Sequence, residues 1–117
     1  MKLTKVIEVF EAIKLLESNS KLEFKLSYRL GRIQDKCRST IQTFEATQNK
    51  MKEKYSKMLQ ETPDKQQELN NEYIAKINEL LQVEEDIEIP KFNLNDFENK
   101  EIPVKFFSAF ADYIVEE

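Results

Sequence analysis

Leu30, Cys37, Phe44, Met51 and Met58 stand seven residues apart, and Ile33, Ile41 and Tyr55 fill the neighbouring row. A heptad of apolar positions kept up over this distance marks one long helix with a narrow oily seam. The spacing predicts a helix over 28–60, with Ser27 as its N-cap, roughly 50 Å long at about 1.5 Å per residue. A helix that long with so thin a stripe is not stable alone in water. Another helix must lie along the seam.

The chain offers that partner at once. Thr62 followed by Pro63 is a helix start, because proline lacks an N–H that would go unused in the first turn. Leu69, Tyr73, Ile77 and Leu80 then line one face of a helix over 63–83. The connection is so short that the two helices must run antiparallel. A turn near 61–62 sets Leu69 opposite Tyr55, Tyr73 opposite Met51 and Leu80 opposite Phe44.

The second helix is the shorter, so residues 28–42 overhang it and need other cover. Val6, Val9, Phe10, Ile13 and Leu16 behind Thr4 predict a helix over 4–18. Leu22, Phe24 and Leu26 alternate with polar residues, which predicts a short strand over 21–26. Ile87 and Ile89 alternate with charges before Pro90 and predict an edge strand over 86–89, able to pair with the first as a two-stranded ribbon. Pro103 then opens a helix over 103–115 carrying Phe106, Phe107, Phe110 and Ile114, the natural lid. The expected fold is mainly α, one domain over 1–117. A long, coiled-coil-like antiparallel hairpin has the N- and C-terminal helices and a small ribbon at its base. Gly31, early in the long helix, is expected where another helix approaches closely. A hinge or a backbone contact with a ligand is the alternative.

The chemistry available is narrow. No histidine is present, which removes the commonest general base and every Ser-His or Cys-His pairing. A single glycine cannot build a phosphate-cradling loop. Cys37 is the only cysteine and falls on the apolar seam, so it reads as a buried structural thiol. Glu84, Glu85, Asp86 and Glu88 could gather a hard cation, but the calcium-loop spacing with its glycine is absent, and a solvated acidic turn is the expectation. The chain is therefore read as no enzyme, with no catalytic residue, cofactor or metal. The first residues are too often charged for a signal peptide, and no apolar run is long enough to span a membrane. A cytoplasmic protein with no membrane partner is expected.

Charge is polarised along the chain. Residues 21–58 hold ten Lys/Arg and four Asp/Glu, whereas residues 59–117 hold five and fifteen. Lys25, Arg29, Arg32 and Lys36 recur at helical spacing, and Lys50, Lys54 and Lys57 resume the row. The upper lysines flank the seam opposite Glu68, Glu72 and Glu79, which suits pairing within the hairpin. Residues 25–36 overhang the second helix and have only Glu85, Asp86 and Glu88 to answer them. Lys25, Arg29, Arg32, Lys36, Glu84, Glu85, Asp86 and Glu88 are thus the candidate partner-binding residues. The basic stripe suits a phosphate backbone, and the acidic half could mimic one.

The run Lys25-Leu-Ser-Tyr-Arg-Leu-Gly-Arg-Ile33, with Phe44-Glu-Ala-Thr-Gln-Asn-Lys-Met-Lys-Glu-Lys-Tyr55 and Glu88-Ile-Pro-Lys-Phe-Asn-Leu-Asn-Asp-Phe-Glu98, resembles small helical proteins of tailed bacteriophages and prophages. Those proteins largely lack an assigned activity, so no residue role carries over. The resemblance implies a protein partner, either as an effector that binds or inhibits a host system or as a virion or assembly component. A nucleic-acid-binding role through the basic stripe stays open beside them, as does self-association through the long helix.

Overall fold

The computed structural model describes residues 1–98 and 100–116. Four α-helices occur in chain order: α1 (Leu3–Asn19), α2 (Phe24–Glu61), α3 (Gln66–Leu81) and α4 (Val104–Phe110). Two short strands, β1 (Phe92–Asn93) and β2 (Ile114–Val115), complete the set. The longest dimension of the molecule, 59 Å, matches the roughly 57 Å expected of α2's 38 residues.

The hairpin forms as the heptad requires. α2 ends at Glu61, a 3₁₀ turn over Pro63–Lys65 reverses the chain, and α3 returns along α2. Leu69 lines a groove with Tyr55 and Leu59, and Leu80 meets Phe44 at the other end. Tyr73 stands edge-on to Tyr55, with ring centroids 5.7 Å apart.

At the base, α1 covers the overhang. Val6, Val9, Ile13 and Leu16 are fully buried against a group that includes Leu26, Leu30, Ile33 and Cys37 of α2. α4 packs against α1 in the same core, where the Lys5 ammonium donates to the carbonyl of Ala109 at 2.7 Å. Phe106 stacks on Phe110 at 4.4 Å, and Phe92 and Phe97 close the aromatic group. The terminal helices thus sit at the base of the hairpin as expected.

The strands differ from expectation. Residues 21–26 form none, because α2 begins at Phe24 rather than at 28, and its cap position is Glu23 rather than Ser27. Leu26, Leu30, Ile33 and Cys37 form one helical row, and that four-member pattern outweighs a three-residue alternation. Residues 86–89 join no sheet, and the chain turns tightly at their start, where the Ile87 N–H donates to the Glu85 carbonyl at 2.9 Å; Ile89 is buried and Ile87 half-buried against the core. Their neighbours pair elsewhere. Lys2 and Glu84 form an isolated antiparallel bridge, with Leu3 N–H donating to Val83 at 2.9 Å.

The only two-stranded sheet among the described residues is parallel, with Phe92 opposite Ile114 and Asn93 opposite Val115. The last helix therefore stops at Phe110 instead of reaching 115; a 3₁₀ turn follows, and the β-branched pair Ile114-Val115 extends beside β1. Smaller shifts affect the other boundaries. α1 starts one residue before Thr4, which is not its cap, and α3 is preceded by the 3₁₀ turn instead of starting at Pro63.

Candidate functional site

Helical spacing divides the first turns of α2 into two faces. Leu26, Leu30 and Ile33 point into the core. Phe24, Tyr28, Gly31 and Arg32 follow at intervals of four, three and one, and share the opposite side. Phe24 is 96% exposed and Tyr28 67% exposed, an unusual state for two large rings on neighbouring turns. The Arg32 guanidinium stands 6.0 Å from the Tyr28 ring centre. Lys25 and Lys36 lie exposed on the rim.

Gly31 lies on this face. A side chain added there would meet no atom within 4 Å. The close approach of another helix, expected at this glycine, is therefore not supplied by the chain itself. The glycine is half-buried, but the space a side chain would fill stands empty on the face that carries two exposed rings.

The four basic candidates do different things. Arg29 turns away from the exposed face: its guanidinium lies 4.2 Å from the centre of the Phe92 ring, donates to the Lys91 carbonyl at 3.0 Å and stands 3.6 Å from the Asp96 carboxylate. Arg32 and Lys36 share an open groove of about 410 Å³ with Arg29, Ile33, Glu88, Ile89 and Pro90. Glu88 is thus the one acidic candidate brought beside the basic ones there. Glu84 and Glu85 are drawn into the pairing with Met1 and Lys2, where Glu85 N–H donates to the Met1 carbonyl at 2.7 Å. Asp86 is exposed. Among the described residues, no three Cys, Asp or Glu side chains converge as metal ligands.

Phe24 and Val104 are functional candidates that the sequence reading passed over. Val104, 81% exposed, opens α4, and the Ser20 hydroxyl donates to the Glu101 carbonyl, which ties the segment leading into α4 to the end of α1. The signal for Phe24 was present. Once the helix is started at residue 24, its wheel places this ring opposite Leu26 and Leu30.

Cys37 lies on the inner face, fully buried, and burial pushes its thiol up to about 11. It is held as a neutral thiol at physiological pH. No helix among the described residues is long and apolar enough to cross a membrane. Comparison with protein-family models, curated proteins and solved structures finds no match to this chain.

Proposed function

We propose that this chain is a non-catalytic binding protein that docks a larger protein through the outer face of α2, centred on Phe24, Tyr28, Gly31 and Arg32. The observation that carries this reading is the exposure of Phe24 beside an uncovered glycine. Each ring left in water forgoes roughly 1.5–3 kcal/mol of burial that a partner surface would supply. Aromatic and arginine side chains are also the groups that dominate binding energies at interfaces. With Lys25 and Lys36 on the rim, the fitting partner surface is apolar at its centre and acidic at its edge.

We further propose, on the sequence resemblance to phage and prophage proteins alone, that its biological form is an effector that binds or inhibits a host assembly. Co-purification from the producing cells tests it. A stoichiometric partner should be held by the wild-type chain and lost from Phe24→Ala and Arg32→Glu, both of which should remain folded. Retention of the same partner by both variants would refute the proposed face. The same likeness allows a virion or assembly component, and mass spectrometry of purified particles decides between the two roles.

Nucleic acid is the second reading, favoured by one feature: exposed rings among cations can stack bases beside a phosphate backbone. Titration with short DNA and RNA at two salt concentrations checks it. Binding that falls steeply with salt and disappears in Phe24→Ala supports it, and no binding near physiological ionic strength removes it.

A further inference from the structure

The outer hairpin is thinly covered. Beyond Cys37, the only buried residue of α2 is Tyr55, and the only one of α3 is Leu69. Met51, Met58, Ile77 and Leu80 are half-buried, Ile74 is 54% exposed and Val83 45% exposed. Helical stability comes mainly from tertiary packing, and two buried side chains supply little of it for a pair this long.

One groove of the hairpin, about 470 Å³, brings together Thr47, Met51, Lys54, Lys76, Glu79 and Leu80. Lys54 stands on its α2 side and Glu79 on its α3 side; helical spacing continues the first as an exposed row with Lys50 and Lys57 and the second as an exposed row with Glu68 and Glu72. Pairing between these edges within the hairpin was the expectation, and the described residues do not form it. The single ion pair in this region, between Lys76 and Glu72 at 3.7 Å, lies within α3. Glu72 also accepts from the Tyr55 hydroxyl at 3.0 Å. The lysine edge and the rest of the glutamate edge face solvent.

We infer that this face of the hairpin is covered by a second copy of the chain, related by a twofold axis along the hairpin, to form an antiparallel four-helix bundle. Such a rotation lays the basic edge of each α2 over the acidic edge of its partner's α3, and the intervening methionines become the bundle's core. Each chain carries both halves of the match, which is the requirement of a twofold interface. α3's 16 residues give a face about 24 Å long and two helices wide, at the low end of specific interfaces. Association is therefore expected at micromolar concentrations.

Sedimentation equilibrium across a concentration series tests the inference. The wild-type mass should rise from 13.9 kDa toward about twice that value, as a closed dimer of this kind requires. Lys50→Glu with Lys54→Glu, and separately Glu68→Lys with Glu79→Lys, should each weaken self-association at least tenfold. An equimolar mixture of the two variants should restore it, because each interface edge then meets its opposite charge again. A wild-type chain that stays monomeric at several hundred micromolar, single-variant dimers as strong as wild type, or a mixture that stays monomeric would each overturn it. Circular dichroism of the two variants separates lost association from lost folding.

Discussion

The Arg29 guanidinium lies over the Phe92 ring at 4.2 Å while donating to the Lys91 carbonyl, so one arginine fastens the long helix to the segment that carries β1. Three modest interactions act together there: a cation over a ring, a charge-assisted hydrogen bond and a half-exposed ion pair with Asp96. Arg29→Ala should cost about 2 kcal/mol in urea unfolding, and Arg29→Lys should recover little, since an ammonium cannot lie flat over the ring and donate sideways at once. Arg32→Ala, whose head group is free of such contacts within the core, should stay within about 0.5 kcal/mol of wild type. Equal losses for the two arginines would contradict the division of labour.

Tyr55 and Tyr73 meet edge-on, but only one hydroxyl has a partner. Tyr55 donates to Glu72, whereas the buried Tyr73 hydroxyl has no hydrogen-bond partner. Tyr73→Phe should therefore be neutral or stabilising by about 1 kcal/mol, and Tyr55→Phe should destabilise by about 1–2 kcal/mol. Thermal unfolding of the two variants side by side gives the comparison. A loss for Tyr55→Phe with none for Tyr73→Phe is expected.

Cys37 should be unreactive in the folded chain. Burial raises its thiol from an ordinary 9.0 to about 11, so the unfolded chain loses this proton at lower pH than the folded one. The unfolded state then binds fewer protons between those values, and stability falls as pH rises through that window. The full loss is about 2–3 kcal/mol, reached near pH 11, and it should be absent in Cys37→Ala or Cys37→Ser. Alkylation at pH 8 should proceed only in denaturant. Rapid labelling of the native chain would show that the base of the hairpin opens.

The long helix and its partner were legible because a heptad is a long-range pattern, repeated often enough to override local ambiguity. Short elements were not. Leu22-Phe24-Leu26 alternates like a strand, yet nothing after residue 21 stops a helix until Thr62, and the row from Leu26 to Cys37 captured the segment. Ile87 and Ile89 do alternate inward, but with no strand at 21–26 to receive them they stay unpaired in any sheet. The pairing of Phe92 with Ile114 depends on how α4 is folded back, a tertiary fact that no local pattern carries. For the surface, the basic residues were visible as a stripe. That Arg29 is engaged and Phe24 bare follows only from which face of α2 meets the core.

Gly31 offers the most direct test of the proposed docking face, because it sets stability and binding against each other. Glycine in an exposed helix interior costs roughly 0.5–1 kcal/mol relative to a good helix former, and nothing in the fold occupies the space beside it. Gly31→Gln should therefore raise the melting temperature by about 2–4 °C. The same side chain stands between Phe24 and Arg32 where a partner would meet the helix, so retention of the co-purifying protein should fall at least tenfold. A variant that is more stable and still holds its partner at the wild-type level would contradict the account.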